Sequence, residues 1–143
     1  MGGVLLPGIP HWPDEPVFEA VAFVTPPAEL DFSRVAELLR HAAPDASHGR
    51  YVGKGREVAA AWAAGWMVRV SLACGILAST RAMAEDCYAA HPRAAEIAVS
   101  DRWVEVQVAD SACTLAAFAC QDAVREWLGS LAGVVLIAPP KHG

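Results

Sequence analysis

The stretch from Glu57 to Cys74 constrains the fold of this chain more than any other. After Gly65 its side chains alternate between two sets that must point to opposite faces of a strand; the first is Trp66, Val68, Val70, Leu72 and Cys74, and the second is Met67, Arg69, Ser71 and Ala73. This period of two predicts a strand with one buried face. The residues before it lead into it across Ala63-Ala64-Gly65, which indicates a short hairpin connection. We therefore expect the sheet to be built around this hairpin.

Length and composition indicate one globular domain. The chain has 143 residues, of which 55% are hydrophobic and 19% charged, a balance that permits a sizeable core and argues against intrinsic disorder. Proline and glycine are concentrated in residues 1–16. Because proline lacks an amide donor and fixes φ, this N-terminal arm is expected to be extended. We predict a single α+β domain over residues 17–139 and a tail over residues 140–143.

The net charge of −5 limits the classes of partner. An acidic chain repels phosphate groups, so we expect neither nucleic-acid binding nor docking on a membrane. The most apolar segment, Val58 to Thr80, is long enough to span a bilayer, but it is rich in alanine, carries Arg69 near its middle and alternates like a strand. The first basic residue is Arg34, so a secretory signal is not expected and we predict a cytoplasmic protein.

The other elements follow from apolar periodicity and from the prolines and glycines that interrupt it. Besides the hairpin, the predicted strands are Val17–Thr25, Ala94–Ser100, Trp103–Ala109 and Val134–Ala138. The predicted helices run over Glu29–Ala43, from Ser79 or Thr80 to His91, and from Asp110 or Ser111 to Leu128. Residues 45–56 are expected to form loop and short strand, and Asp101-Arg102 is expected to be a two-residue hairpin turn.

The order β-α-β-β-α-β-β-α-β predicts the α+β class. We expect a mixed sheet of about six strands, with three helices mainly on one face, and a ferredoxin-like core with additions as the leading topology. The sub-order of helix, strands, helix, two strands and helix resembles that of small secretion chaperones. The resemblance lies in element order alone, without a matching motif, so it implies no family membership.

Residues that commonly carry chemistry do not form a recognised motif. The four cysteines make no CxxC, and the five histidines show neither HxH nor HExxH spacing, so we predict no metal and no cofactor. One enzymatic alternative is a thiol nucleophile at Cys113, at the start of the last predicted helix, with His91 as its base. The competing interpretation is that Cys113 begins a buried stripe with Cys120 and that His91 stabilises the end of a helix. We expect no catalytic residue.

The segment from Gly49 to Arg56 is rich in glycine and positive charge. Its cationic residues are Arg50, Lys54 and Arg56, and glycine leaves backbone amides accessible to an anion. The segment lacks the GxxxxGK[ST] pattern of a nucleotide-binding loop. It predicts either an anion site or a solvated turn.

The tryptophans suggest a surface for a protein partner. Trp103 opens a strand on the face that also carries Glu105 and Gln107, and Trp12 lies in the N-terminal arm. Tryptophan is favoured at interfaces because it buries a large area with few rotatable bonds. We predict that Trp103, Glu105, Gln107 and Trp12 contact a partner.

These observations favour a non-enzymatic module that binds and masks a protein partner, in the manner of an immunity protein or a secretion chaperone. The acidic net charge favours a basic partner, and a homodimer is an open alternative to a monomer. A second hypothesis is a domain that binds a small molecule or anion through residues 49–56. The third hypothesis is the thiol enzyme.

Overall fold

A computed structural model of the chain describes residues 8–12, 15–25, 30–53, 55–74, 82, 86, 88–111 and 114–137. These residues form an α+β fold with one six-stranded sheet and three helices. The strands are β1 (Val17–Val24), β2 (Ser47–Gly53), β3 (Arg56–Ala63), β4 (Trp66–Cys74), β5 (Arg102–Asp110) and β6 (Val134–Ile137). The helices are α1 (Ser33–Ala42), α2 (Ala94–Ala98) and α3 (Leu115–Ser130). The expectation of an α+β fold with about six strands and three helices is confirmed.

The strands pair in the order β2-β3-β4-β5-β1-β6, and every pair is antiparallel. The predicted mixed sheet is therefore wrong. Helix α1 links β1 to β2, which run in the same direction, but three strands separate them. Helix α3 likewise links β5 to β6, and β1 lies between that pair. At least one strand lies between the two strands that each of these helices connects, so those two strands do not pair and no parallel pair forms. The ferredoxin-like topology is not confirmed.

The predicted hairpin forms the middle of the sheet. Ala63 pairs with Trp66, and the turn between them contains Gly65 with a φ of 86°. A positive φ suits glycine, since a Cβ is strained there. Strand β4 continues the pairing to β5, from Trp66 opposite Asp110 to Cys74 opposite Arg102. The hairpin thus connects the edge strand β2 to the rest of the sheet.

Helices α1 and α3 cover one face of the sheet, which we call the helical face. Their apolar positions recur at helical spacing, with Val35 and Leu39 buried on α1 and Ala117, Cys120, Val124 and Leu128 on α3. The apolar cluster beneath them contains residues of β1, β3, β4, β5 and β6. Trp66, Val68, Val70 and Leu72 of the first alternating set of β4 lie here and are buried as predicted, whereas Cys74 is exposed. Met67 and Ser71 of the second set are buried as well, so the prediction of a single buried face for β4 is wrong.

The opposite sheet face, which we call the second face, carries two smaller apolar clusters. At one end Ile9 of the N-terminal arm packs on Val58, Ala60 and Met67. At the other end Ile97 of α2 packs on Phe23 and Val135, while Tyr88 and Trp103 lie against the same cluster. The arm comes so close to β2 that a Cβ on Gly49 would lie 2.4 Å from the Gly8 carbonyl oxygen.

Several predicted boundaries are corrected by the structure. Residues 94–100 are not a strand, because Ala94–Ala98 forms helix α2, and there is no hairpin at Asp101-Arg102. The sixth strand is instead β2, in a segment that we expected to be mainly loop. The cap of helix α3 is Thr114, three or four residues later than the predicted cap at Asp110 or Ser111. Most of the helix predicted before His91 lies outside the described residues.

The start of α3 is set by its cap. The Asp110 carboxylate accepts a hydrogen bond from the Thr114 amide at 2.8 Å, and the Thr114 hydroxyl accepts one from the Ala117 amide at 3.4 Å. Capping of this kind satisfies amides that the first turn of a helix leaves without partners. No helix in the described parts of the chain is long and apolar enough to cross a membrane.

Candidate functional site

Polar and charged side chains form a strip across the second face, between its two apolar clusters. This polar strip consists of Arg56 on β3, Arg69 and Ser71 on β4, and Glu105 and Gln107 on β5. Arg69 lies directly opposite Gln107, and Ser71 directly opposite Glu105. Side chains of directly opposed residues point to the same face of a sheet, so the strip follows from the register.

Arg69 is held from two sides. Its Nη2 donates a hydrogen bond to Gln107 Oε1 at 3.1 Å, and its Cζ lies 4.3 Å from the centre of the Trp12 ring. A guanidinium over an aromatic face is attracted by the negative potential of the ring. Burial, followed by the nearby Arg56 charge, lowers the pKa of Arg69, whereas Glu105 acts in the opposite direction. The surroundings of Arg69 therefore disfavour the charged form of its guanidinium.

Glu105 is the acidic member of the strip. Burial raises the pKa of its carboxyl group, and the charges of Arg56 and Arg69 partly offset that rise. Within the described part of the chain, neither arginine comes within the 4.0 Å of Glu105 that would make a salt bridge. Three charged groups thus influence one another without direct pairing.

Two donors in the strip have no hydrogen-bond partner. Arg69 Nε and Ser71 Oγ are both shielded from solvent and unpartnered. The Ser71 side chain is only 6% exposed. Leaving a buried polar group without a partner costs about 1–3 kcal/mol, so such groups are rare in folded proteins. Each such group therefore marks local strain, a functional role or a site for a water or ion.

The predicted partner-binding residues lie on this second face. Trp103 is half-buried and makes an edge-to-face contact with Phe23, with ring centres 6.2 Å apart. It opens the strand that carries Glu105 and Gln107, and Trp12 reaches the strip through Arg69. The structure therefore places the four predicted side chains on one face, with Trp12 and Trp103 in the apolar clusters on either side of the polar strip.

The predicted anion-binding residues are not brought together. Arg56 belongs to the polar strip, whereas Arg50 lies on the helical side of β2, with its guanidinium 3.8 Å from the Glu57 carboxylate. Lys54 lies outside the described residues. Arg50 instead lines a cavity of about 300 Å³ between α1 and β2, together with Arg40 and His48. Nε2 of His48 is buried there without a partner.

The thiol hypothesis concerns Cys113 as nucleophile and His91 as its base. Cys113 lies outside the described residues. Nδ1 of His91 accepts a hydrogen bond from the Arg93 amide at 3.0 Å, which orients the ring within its own turn. Cys120 is a free thiol whose pKa is raised to about 11 by burial, while Cys74 is free and exposed. In the described ranges, no three His, Cys, Asp or Glu side chains are arranged to hold a metal ion.

Arg69 and Ser71 were missing from the predicted site. The signal was present, because the alternation of β4 places both in its second set, away from the buried residues. Their meeting with Glu105 and Gln107 depends on the β4–β5 register, which one sequence does not contain. Comparisons with protein-family models, with curated proteins and with solved structures found no match, so the interpretation of the site depends on its geometry.

Proposed function

We propose that this protein is a non-enzymatic binding module that masks a partner protein with its second face. The proposal is supported above all by the polar strip, in which the Arg69 and Ser71 donors are buried without partners. Trp12 and Trp103 are the aromatic residues beside it. Arginine and tryptophan are enriched in the central parts of protein interfaces, where they contribute most of the binding energy.

The position of the strip favours a protein over a small ligand. Its members come from three adjacent strands, whose backbones are about 5 Å apart, so it extends roughly 10 Å across the sheet. A flat surface of this kind is contacted by another protein surface, whereas small ligands are held in concave sites. The net charge of −5 supports a basic partner, because complementary charge accelerates encounter. Masking of such a partner is the mode of action we propose, as in an immunity protein or a secretion chaperone.

A photo-crosslinker at position 107 tests this proposal. The variant carries p-benzoylphenylalanine in place of Gln107 and is irradiated in its native cells, and the product is identified by mass spectrometry. The matched control places the crosslinker at Glu126, which is exposed on α3. We expect one partner protein to be crosslinked from position 107 and not from position 126, and Trp103→Ala to reduce the yield. Equal products from both positions would refute the proposal, and a product with a second copy of this chain would identify a homodimer.

A small-anion site is the second candidate. The favouring observation is the cavity between α1 and β2, which brings Arg40, Arg50 and His48 together over an apolar floor. Phosphate should raise the melting temperature of the wild-type protein, and Arg50→Ala should abolish the rise. Arg125→Ala is a suitable control, because Arg125 belongs to α3 and is not among the residues that line the cavity. The same phosphate effect in all three proteins would exclude the cavity.

A further inference from the structure

Arg56 and Arg69, the two arginines of the polar strip, have no carboxylate partner among the described residues. In the described ranges Arg34, Arg93 and Arg102 each have a carboxylate oxygen within 3.1 Å. Within the same ranges, no carboxylate lies within 4.0 Å of Arg56 or Arg69. The two are close enough for the charge of Arg56 to act on Arg69. Like charges in a half-buried site are stabilised by an anion between them.

The unpartnered donors point to the same missing group. Ser71 follows Arg69 by two residues on β4, so their side chains stand side by side on the second face, with Cα atoms roughly 7 Å apart. The Nε–H of Arg69 and the hydroxyl of Ser71 are both without an acceptor. An acceptor from outside the chain would pair both donors, and a carboxylate has two oxygens that accept such bonds.

Charge and orientation are also complementary to a carboxylate. The strip holds the side chains of Arg56, Arg69 and Glu105, which sum to one positive charge when all are ionised, so one added carboxylate neutralises it. Trp12 stacks on the face of the Arg69 guanidinium. The N–H donors of a guanidinium lie in its plane, so stacking on the face leaves its edge available.

On the basis of the proposed function, we infer that the polar strip binds the side-chain carboxylate of an aspartate or glutamate of the partner protein. The carboxylate lies between Arg56 and Arg69 and accepts hydrogen bonds from Arg69 Nε–H and from the Ser71 hydroxyl. Both donors are shielded from solvent, so side chains around the strip move apart as it binds. A partner that is basic overall contributes one acidic contact residue here.

Acetate is the probe for this site. The Nε–H resonances of the arginines are followed by NMR during titration with sodium acetate, at an ionic strength kept constant with chloride. We expect a saturating shift of the Arg69 signal, and a binding constant at least about tenfold weaker in Ser71→Ala. The Arg93 signal is the control, because its Nε already donates to Glu96 at 2.9 Å. An unmoved Arg69 signal, or equal shifts of both signals, would overturn the inference.

The affinity of variants for the crosslinked partner distinguishes a failure of this inference from a failure of the proposed function. Arg69→Lys keeps the charge but removes the planar fork, so partner affinity should fall at least about tenfold. Unchanged affinity in both Arg69→Lys and Ser71→Ala would refute the carboxylate site while the binding module stands. Saturable acetate binding at Arg69 without any crosslinked partner would support the site and refute the module. Circular dichroism establishes that each variant is folded.

Discussion

Replacement of Ser71 by alanine should stabilise this protein, although serine-to-alanine changes at buried positions usually do the opposite. The Ser71 hydroxyl is buried and has no partner, so the folded state bears a desolvation cost of about 1–3 kcal/mol that the unfolded chain avoids. Alanine keeps the Cβ and removes the hydroxyl. The small void that remains costs about 0.5 kcal/mol at roughly 24 cal/mol per Å³. The net gain in the free energy of unfolding is therefore about 1 kcal/mol.

The corresponding change in melting temperature is measurable. Unfolding entropy is about 2.1 cal/mol/K per residue, which gives roughly 0.3 kcal/mol/K for this chain. A gain of about 1 kcal/mol then raises the melting temperature by about 3 °C. Thermal and urea unfolding of wild type and Ser71→Ala, followed by circular dichroism at pH 7, measures both quantities.

Ser100 provides a matched control with the opposite sign. It is fully buried as well, but its hydroxyl donates a hydrogen bond to the Ile97 carbonyl at 2.7 Å. Ser100→Ala removes that donor and should cost about 1–2 kcal/mol. If Ser71→Ala destabilises the protein as much as Ser100→Ala does, the Ser71 hydroxyl has a partner in solution, and the argument for the polar strip fails.

Three further predictions concern the arm, the thiols and the acidic member of the strip. Gly49→Ala should displace the N-terminal arm, because its Cβ would lie 2.4 Å from a carbonyl oxygen of the arm, and hydrogen exchange of residues 8–12 should accelerate. Gly129→Ala is the control: Gly129 lies within α3 and, among the described residues, its Cβ would meet only Leu136 of β6, at an ordinary 3.6 Å, so the change should stabilise by about 0.5–1 kcal/mol. In the native protein at pH 8, iodoacetamide should label Cys74 and spare Cys120, whose pKa is raised to about 11; labelling at equal rates would contradict its burial. Burial raises the folded-state pKa of Glu105, so the folded chain binds more protons than the unfolded chain and the free energy of unfolding falls as pH rises through this pKa. Between pH 4 and 7, this fall should be smaller in Glu105→Gln than in wild type, as measured by urea unfolding at each pH.

The faces of the central strands could be predicted because alternation is a local property. Trp66, Val68 and Val70 were expected on a buried face and are buried. Glu105 and Gln107 were expected on one face of the neighbouring strand, and the register places them together. Period two reflects the backbone itself, so residues can be assigned to a face without knowledge of the partner strand. The burial of Met67 and Ser71 on the other face of β4 depends on what covers that face and could not be predicted in this way.

Helix α2 could not be predicted because its type depends on contacts distant in sequence. Short apolar runs are compatible with a strand or with a turn of helix. Here Ile97 packs against Phe23 of β1, and Arg93 bridges the Glu96 carboxylate at 2.6 Å and the Val134 carbonyl at 3.1 Å. The pairing of Arg93 with Glu96 needs helical spacing, and the bond to β6 holds the helix against the sheet edge.

Strand β2 was mistaken for loop because its glycines resemble turn signals. Their role is steric instead. A Cβ on Gly49 would meet the N-terminal arm, and one on Gly53 would meet the Tyr51 ring, at 2.8 Å from Cζ. Glycine within a strand often marks a close approach by another group, and that group is identified only in the folded chain.

The strongest support for the proposal that this fold binds a partner is the position of the buried side-chain atoms that lack a hydrogen-bond partner. Among the described residues, three buried side-chain atoms lack a partner, and two of them, on Arg69 and Ser71, belong to the polar strip. Glu105 in the same strip has a pKa raised by burial, whereas the helical face is packed with apolar side chains. The third unpartnered atom, His48 Nε2, lies on the helical side, in the cavity between α1 and β2. The two neighbouring costs in the polar strip are offset when a partner binds there, so changes that stabilise the free protein at the polar strip should weaken its complex.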